Sequence, residues 1–320
     1  MLPTFGRESF PIRLAAASQA DRAPLHIEIM KPLVVGIDIG GTKFIAASAD
    51  AQGRIVKRER APTPRPLDAG LALLDEMIAS VTGGAPIAGI GAAAGGPLNW
   101  ETGVVSPLHQ PEWRYIPLKS WMEAKYGCPF NVDVDTNLAA LAEHHYAKEK
   151  VPKLLYVTIS TGMGGGFVVD GQIYRGLGGE HPEVGHQSVP CRSAAAQMVT
   201  CPCGSIGCLE ALVSGNGIRR LYGKPPEELG PREWDEVAWH LGQGLRNMAV
   251  IYLPDAIVIG GGVTFGAKEK LLKPAIEVMR DQLKIVPHPR VAASELGEEN
   301  VLKGAILLAL RNAGEPTGGR

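Results

Sequence analysis

The sequence lacks long apolar segments and lacks an excess of charge of either sign. No apolar run approaches the roughly 20 residues that a membrane-spanning helix requires. Thirty-two basic and 33 acidic residues leave the 320-residue chain with a net charge of −1. A nucleic-acid-binding protein would ordinarily show a clustered basic excess. We therefore expect a cytoplasmic protein that binds neither nucleic acid nor a membrane.

Cysteine is scarce as well, and its distribution is uneven. Four of the five cysteines lie between positions 191 and 208, namely Cys191, Cys201, Cys203 and Cys208. A disulfide framework would distribute its bridges along a short secreted chain. Clustering of thiols close to His186 instead indicates a metal site in a reducing compartment, and the isolated Cys128 is expected in the core.

The first 30 residues differ from the rest of the chain. They contain scattered arginines and no clear periodicity, and the apolar run 14–17 is too short for the hydrophobic region of a secretory signal. A transit peptide stays open as an alternative because the segment contains arginine. We expect residues 1–30 to be a disordered leader, or an upstream extension of a chain that starts at Met30.

Beyond the leader, one pattern of strands and glycine turns occurs twice. The first copy has strands at 33–37, 44–49 and 54–56, with a glycine turn after the first strand. The second copy has strands at 154–159, 167–169 and 172–174, with a glycine turn at 161–166 and a hairpin turn at Asp170-Gly171. This repetition predicts two related α/β domains that face a common cleft.

The first glycine turn contains chemically useful side chains. Paired glycines let backbone N–H groups approach phosphate oxygens closely. Thr42 and Lys43 add a hydroxyl and a cation, and Asp38 precedes the turn as a candidate for organising Mg²⁺ through water. Taken alone, the motif is equally compatible with a simple tight hairpin. The second glycine turn favours phosphate binding, because two turns can grip one phosphate chain. Neither turn matches a P-loop or a dinucleotide-binding fingerprint.

Several longer motifs follow one another in a characteristic order. They are GIDIGGTK, GGPLNWETGVV, VDVDTNLAAL, TGMGGG, HPEVGH and CPCGSIGCLE. With these motifs the chain resembles the ROK family of repressors, open reading frames and kinases, from about Leu33 to Leu310. The resemblance implies a two-domain, actin-like ATPase (ribonuclease H-like) α/β fold with an interdomain cleft. The small domain would span 31–136 and be completed by a C-terminal helix at 301–320, and the large domain would span 137–300.

The resemblance also assigns the nucleotide and its metal. ATP is the implied phosphoryl donor, together with Mg²⁺. The residues implied to line its phosphates are Asp38, Gly40, Gly41, Thr42, Lys43, Thr161, Gly162, Gly164 and Gly165, and those implied to approach the adenosine are Gly260, Gly261 and Gly262.

Asp135 is the candidate catalytic residue. A sugar hydroxyl is a weak nucleophile. Phosphoryl transfer to it needs a nearby carboxylate that accepts the hydroxyl proton. Asp135 lies where a predicted strand at 130–134 runs into a helix, a position that would also suit a simple helix N-cap. The resemblance matches Asp135 to the general base of the family. Asp133 is expected to point the other way, because side chains alternate along a strand.

A zinc site and a sugar site are implied to share one loop. The zinc ligands would be His186, Cys201, Cys203 and Cys208, three thiolates and an imidazole that suit a structural Zn²⁺ site. Fourteen residues separate His186 from Cys201, more than is usual in the family, so Cys191 stands as a fifth candidate ligand. The implied sugar-binding residues are Gly96, Asp135, Glu183, His186 and Glu210. Glu180 and His181 are expected in a solvated loop, and Trp113 in the core.

The function implied by the resemblance is ATP-dependent phosphorylation of a hexose. Glucose is expected first and fructose or mannose next, although Val134 stands where glucokinase-like members usually have Asn. The alternatives are an N-acetylhexosamine kinase, a sugar-sensing transcriptional regulator and a sugar-binding protein without turnover. A regulator would need a DNA-binding domain, and the 37 residues before Asp38 show no helix-turn-helix pattern. A homodimer is compatible with the resemblance, since dimers are common among similar proteins.

Overall fold

The computed structural model describes residues 31–313. The predicted leader and the predicted end of the last helix lie outside the described residues. The strands of the described part are β1 (Leu33–Ile39), β2 (Lys43–Ala49), β3 (Ile55–Pro62), β4 (Ile87–Ala94), β5 (Leu98–Asn99), β6 (Val104–Val105), β7 (Ile116–Pro117), β8 (Phe130–Val134), β9 (Lys153–Ile159), β10 (Met163–Val169), β11 (Gln172–Ile173), β12 (Ala256–Gly260) and β13 (Arg290–Ala293).

Helices connect and cover these strands. The α-helices are α1 (Leu67–Thr82), α2 (Leu118–Tyr126), α3 (Asp135–Tyr146), α4 (Leu209–Val213), α5 (Gly215–Tyr222), α6 (Pro231–Tyr252), α7 (Gly262–Ala267), α8 (Glu269–Gln282) and α9 (Asn300–Asn312). Short 3₁₀ helices occur at Leu177–Gly179, Val184–His186, Ala196–Met198, Pro226–Glu228 and Gly297–Glu299. Over residues 31–313, no helix is both long enough and apolar enough to cross a bilayer.

Two five-stranded sheets have the same internal order. The first runs β3-β2-β1-β4-β8 and the second β11-β10-β9-β12-β13. In each sheet an antiparallel hairpin, β1–β2 or β9–β10, is extended by a parallel strand, β4 or β12. The predicted repetition of strand, glycine turn and strand is therefore confirmed, and the chain has a mixed α/β fold. The division into domains at residue 136 stays a prediction.

The C-terminal helix returns to the first sheet. Leu302 and Ile306 of α9 are buried against Val34, Ile45 and other apolar residues of β1 and β2. The opposite face of that sheet is covered by α1 and α2, in a cluster that includes Trp113, so the predicted core position of this tryptophan is confirmed. Helix α3 packs against both β10 and α9, and it therefore connects the two sheets.

The second glycine turn is shorter than predicted. Residues 164–166 belong to β10, where Gly164, Gly165 and Gly166 pair with residues of β9, and the turn itself is confined to 160–162. The prediction of a turn through Gly166 was wrong because these backbone groups are satisfied by the antiparallel ladder. Strand β3 is likewise longer than the predicted segment at 54–56, because it pairs along the whole of β2.

Candidate active site

The first glycine turn joins β1 to β2. The N–H of Gly40 donates to the carbonyl of Lys43 at 3.1 Å, and Thr63 Oγ1 donates to the carbonyl of Gly40 at 2.7 Å. A Cβ atom at Gly41 would lie 2.9 Å from Cβ of His109. The loop that contains His109 therefore lies directly against the turn, and any larger residue at position 41 would displace it.

Lys43 contacts a carboxylate in the described conformation. Its Nζ lies 3.4 Å from Glu298 Oε2, and the side chain of Glu298 is well exposed. An exposed pair of this kind stabilises little. A phosphate group at the turn would compete with Glu298 for this lysine.

The second glycine turn is fixed by hydrogen bonds to α4 and α5. The N–H of Asn216 donates to the carbonyl of Thr161 at 3.0 Å, and the N–H of Gly215 donates to the carbonyl of Ser160 at 2.8 Å. Glu210 Oε2 accepts from the N–H of Met163 at 3.0 Å. One carboxylate oxygen of this candidate sugar ligand is thus occupied in holding the phosphate-side turn.

Gly164 and Gly165 allow β10 to pack closely against its neighbours. A Cβ atom at Gly164 would lie 3.0 Å from Cγ2 of Thr136, and one at Gly165 would lie 2.7 Å from Cγ2 of Val184. Side chains here would push β10 away from the start of α3 and from the 184–186 helix. Gly164 and Gly165 therefore allow β10 to pack against the start of α3 and against the 184–186 helix, and neither lies in the turn itself.

Two carboxylates, those of Asp38 and Asp135, lie at the ends of β1 and β8. Burial, together with the negative charge of Asp135, raises the pKa of Asp38 to about 7, although the positive charges of Lys43 and Arg58 oppose the shift. Burial is also the main cause that raises the pKa of Asp135. Asp135 is exposed to solvent at this position, and the protein atoms crowded around its carboxylate raise its pKa. A carboxylate with a raised pKa is a better proton acceptor.

Asp135 is the first residue of α3, and Val134 occupies the N-cap position. The Oδ1 atom of Asp135 accepts a hydrogen bond from the N–H of Thr136 at 2.7 Å, which leaves Oδ2 without a partner among the described hydrogen bonds. His181 and His109 both lie close enough to favour the ionised form of Asp135 and so lower its pKa. Asp135 is therefore not the N-cap of α3, which was the alternative role considered from the sequence.

Asp133 has quite different surroundings. Its side chain is 1% exposed and forms an ion pair with Arg175. Its Oδ1 also accepts from the N–H of Val134 at 2.7 Å and from Asn137 Nδ2 at 3.0 Å. With its acceptors occupied, Asp133 is not available as a base, as the alternation along β8 predicts.

Two candidate sugar ligands, Glu183 and His186, lie together with His181 at the 184–186 helix. Glu183 Oε1 lies 3.6 Å from His181 Nε2, and Glu183 Oε2 lies 3.9 Å from His186 Nε2. The side chain of Glu183 is 57% exposed and can accept hydrogen bonds from hydroxyl groups. Gly96 accepts the N–H of Leu108 through its carbonyl, and the space where its side chain would be is open.

His181 was not identified from the sequence as a site residue. Its side chain is only 13% exposed, and its Nδ1 is buried without a hydrogen-bond partner. The expectation of a solvated loop was therefore wrong for His181. It follows Glu180, which is exposed as expected, so its burial depends on contacts that local sequence does not reveal.

The four candidate metal ligands lie together. One ligand atom from each of His186, Cys201, Cys203 and Cys208 can be chosen so that all four lie within 4.8 Å of one another. His186 Nδ1 lies 3.5 Å from Cys201 Sγ, and Cys203 Sγ lies 3.5 Å from Cys208 Sγ. With Zn–S of about 2.3 Å and Zn–N of about 2.0 Å, neighbouring ligand atoms of a tetrahedral site lie roughly 3.5–3.8 Å apart. The donor set and its spacing therefore fit zinc.

The thiols of this cluster differ in acidity, and Cys191 lies apart from them. A hydrogen bond from the backbone of Ser205 and bonds from the neighbouring thiols lower the pKa of the exposed Cys203 to about 6. Burial raises the pKa of Cys201. Cys191 is not part of the metal-ligand group and packs beside the larger hydrophobic core.

A cavity of about 400 Å³ opens beside the second glycine turn. It is lined by Thr161 and Gly262, two of the predicted nucleotide residues, and by residues that the sequence did not single out, among them Asn216, Arg219, Trp234 and Lys270. Gly260 and Gly261 instead face β9, because Cβ atoms there would lie 2.4 Å from Tyr156 Oη and 2.3 Å from the carbonyl of Ile159. The cations Arg219 and Lys270 follow no motif, which is why sequence reasoning missed them.

The sequence of this chain matches a family model over most of its length. The model describes the ROK family, and it matches residues 34–312. The chain belongs to the ROK family.

Curated relatives of this ROK protein include two kinases and one repressor. A glucokinase of Halalkalibacterium halodurans is 31% identical, with 81% of this chain and 87% of the relative covered. A fructokinase of Zymomonas mobilis is 30% identical, with 86% and 95% covered. A xylose repressor of Caldicellulosiruptor bescii is 26% identical, with 92% and 82% covered.

Solved structures show the same fold. The ROK hexokinase from Thermus thermophilus is 32% identical, with a TM-score of 0.75 and coverage of 87% of this chain and 97% of the other. A ROK family glucokinase from Streptomyces griseus, solved in complex with glucose and AMPPNP, is 28% identical, with a TM-score of 0.71 and coverage of 87% and 99%. The fold is therefore the actin-like ATPase fold of ROK sugar kinases, as the sequence predicted.

Proposed function

We propose that this protein phosphorylates an unmodified hexose, with glucose as its first substrate and fructose or mannose next. The broader class is established by its kinase relatives: it is an ATP-dependent sugar kinase. The observation that supports the site is the position of Asp135. Its carboxylate has a raised pKa and lies at the start of α3, beside the β10 glycines and within the electrostatic reach of His181 and His109.

In the proposed reaction, Asp135 orients a sugar hydroxyl and accepts its proton. The hydroxyl oxygen attacks the γ-phosphorus of ATP, the bond between that phosphorus and the bridging oxygen to the β-phosphate breaks, and ADP leaves. Oδ1 of Asp135 is engaged by Thr136, so Oδ2 is the acceptor we assign to the hydroxyl. Mg²⁺ would supply charge neutralisation at the phosphates, and Asp38 is the carboxylate that would organise it through water.

The sugar would be bound by carboxylate acceptors and by the imidazole of His186, whose Nε2–H would donate when Nδ1 binds zinc. Glu183 offers an exposed carboxylate, and His186 Nε2 lies on the Glu183 side of its ring. Glu210 has one oxygen engaged by Met163, so its other oxygen would bind a hydroxyl. Gly96 lies beside open space, where a sugar ring would pass without a clash.

Zinc would serve structure rather than chemistry in this scheme. We assign His186, Cys201, Cys203 and Cys208 as its ligands, with Nδ1 of His186 toward the thiols. The ion would fix the imidazole and the adjoining loop, so that Nε2 and Glu183 face the sugar.

The nucleotide would occupy the cavity beside Thr161 and Gly262. Phosphates would extend from there toward both glycine turns, with Arg219 and Lys270 as additional cations near the donor. Both turns and the base are present, which supports turnover over a role limited to sugar sensing.

An assay with a panel of sugars tests this proposal. The full-length protein is incubated with Mg-ATP and glucose, fructose, mannose, N-acetylglucosamine, N-acetylmannosamine and a non-sugar polyol, and ADP release is measured. NMR of the product then locates the phosphorylated hydroxyl. We expect kcat/KM to be highest for glucose, with fructose or mannose next.

Two results would contradict parts of the proposal. Efficient phosphorylation of an N-acetylated sugar with negligible turnover of all three hexoses would overturn the substrate. ATP-dependent turnover of none of the panel, in a protein that binds a sugar, would favour the sensing role.

A further inference from the structure

A salt bridge outside the predicted site connects the two sheets. It is made by Asp133, on β8 of the first sheet, and Arg175, which follows β11 of the second. Trp100, after β5, packs on the guanidinium group. We refer to these three side chains as the clasp. We propose that Arg175 is a positioning residue that holds the sugar-binding loop at the base strand, an inference that rests on the proposed function.

The ion pair in the clasp is bidentate and largely buried. Arg175 Nη1 donates to Asp133 Oδ1 at 3.1 Å, and Nη2 donates to Oδ2. The side chain of Asp133 is 1% exposed and that of Arg175 is 24% exposed. A planar guanidinium matches a carboxylate with two parallel hydrogen bonds, and this geometry fixes orientation as well as distance. The clasp therefore restricts how β8 and the chain after β11 can move relative to each other.

Trp100 packs against the face of the Arg175 guanidinium group. The guanidinium carbon lies 4.3 Å from the centre of the Trp100 ring. Gly179 approaches the same indole so closely that a Cβ atom there would lie 2.6 Å from Trp100 Nε1, and its φ is +86°. Arg175 thus lies in contact with both Asp133 and Trp100, and the loop that follows it is packed on the same tryptophan.

Each end of the clasp is close in sequence to a group of the proposed reaction. Asp133 precedes the base Asp135 by two residues on the same strand end. Arg175 begins the loop that reaches Glu183, and this loop is closed by a hydrogen bond from the N–H of Gly176 to the carbonyl of Glu180 at 2.8 Å. The salt bridge therefore joins the strand end that precedes the base to the loop that leads to Glu183.

The hydrogen bonds that hold the two glycine turns do not involve the clasp. The first glycine turn is held by Gly40 and Thr63, and the second is held by Gly215, Asn216 and Glu210. Loss of the clasp should consequently disturb sugar binding while leaving nucleotide binding nearly unchanged. A residue needed only for stability would instead affect both substrates alike, or neither.

The test compares Arg175→Lys and Arg175→Met in the full chain. Lysine keeps a positive charge beside the buried Asp133 carboxylate but cannot form two parallel hydrogen bonds to it. The lysine variant therefore separates loss of the bidentate geometry from misfolding caused by an unpaired carboxylate. We expect Arg175→Met to raise the KM for the best hexose by about 10-fold to 100-fold, the effect of losing roughly one hydrogen bond between a charged side chain and the sugar. Arg175→Lys should give an intermediate increase. The KM for ATP should stay within about twofold of wild type in both variants.

The matched control is Arg290→Met. Arg290 Nη1 also pairs with a carboxylate, Glu149 Oε2, at 2.7 Å, but the pair is exposed and involves none of the proposed site residues. This variant should keep both KM values. Trp100→Phe should resemble wild type, and Trp100→Ala should resemble Arg175→Lys, because only the alanine removes the stacking surface.

The outcomes separate this inference from the proposed function. Suppose that wild type turns over hexoses, while the sugar KM and the ATP KM of the Arg175 variants are unchanged or shift in parallel. This result would overturn the positioning role alone. Wild type that phosphorylates no sugar would overturn the proposed function and the positioning role with it. A selective rise in the sugar KM, graded from lysine to methionine, is the result expected.

Discussion

At the scale of single residues, the site brings two carboxylates with raised pKa values near each other. Burial raises the pKa of Asp38 to about 7 and that of Asp135 in the same direction, and the charge of Asp135 adds to the shift on Asp38. In an unfolded chain Asp38 would titrate near its ordinary value of 3.8. The native state therefore binds this proton more tightly than the unfolded state does.

The contribution of Asp38 to the free energy of unfolding therefore depends on pH. Between about pH 4 and pH 7 the unfolded chain releases the Asp38 proton while the native protein retains it, so this residue lowers stability as pH rises. We predict that Asp38→Asn raises the Tm of the ligand-free protein at pH 8 by about a few degrees, and by clearly less at pH 4.5. Thermal melts at both pH values check this, with the exposed Asp281→Asn on α8 as control. A larger gain at pH 4.5 would contradict the assigned pKa.

Sequence motifs identified some site residues and could not identify others. Asp135 follows a predicted strand within a recognisable motif, so its position at the site could be anticipated. Arg175, His181 and Arg219 belong to no such pattern, and the positions for which we propose roles depend on how distant segments pack. Arg175, for example, meets Asp133 across 42 residues of sequence. Local sequence gives no measure of such contacts.

At the scale of elements, the segment 186–208 contains all four proposed zinc ligands and should depend most on a bound ion. Cys203 is exposed, so its replacement by serine creates no cavity in the core. We predict that wild-type protein contains about one zinc per chain and that Cys203→Ser loses it. The Tm should fall by about 5 °C or more, since roughly 2 kcal/mol shifts a protein of this size by that amount. The KM for the sugar should rise as well.

Cys191→Ser provides the control for the zinc assignment. Cys191 is half-buried and lies outside the four-residue ligand group, so its serine variant should retain the metal. Metal analysis by mass spectrometry and thermal melts check both variants. Absence of zinc in wild type, or loss of zinc only in Cys191→Ser, would contradict the ligand set.

Element boundaries were predicted well where apolar and polar residues alternate, as in β8. They were predicted poorly at glycine runs. Glycine favours turns, and residues 161–166 therefore indicated one long turn, whereas β10 begins at Met163. The close approach of Thr136 to Gly164 explains why glycine is needed inside this strand, and that contact is invisible in the sequence.

At the scale of the whole molecule, two sheets of identical order supply different halves of the proposed reaction. The first sheet ends in Asp38 and Asp135, and the second leads to the loop that contains Glu183 and His186. The repetition of strands and glycine turns predicted the three antiparallel strands of each sheet, but not the parallel strands that extend them. The α3–α9 packing and the clasp between the sheets were not predicted, because they depend on how the two halves meet.

If this protein is a hexose kinase with Asp135 as its base, replacing that carboxylate should abolish most turnover without preventing sugar binding. Asparagine at position 135 keeps the size of the side chain and removes a carboxylate whose ionisation burial disfavours, so Asp135→Asn should fold normally. It should bind glucose with a Kd close to that of wild type. Its kcat should fall by about 10²–10⁴-fold, the usual contribution of a general base.

The measurement is the rate of ADP release at saturating ATP and glucose, with glucose affinity determined by calorimetry on the same samples. If Asp135 is the general base, the variant should retain glucose binding and lose kcat within this range. Near-wild-type kcat in folded Asp135→Asn protein would contradict it.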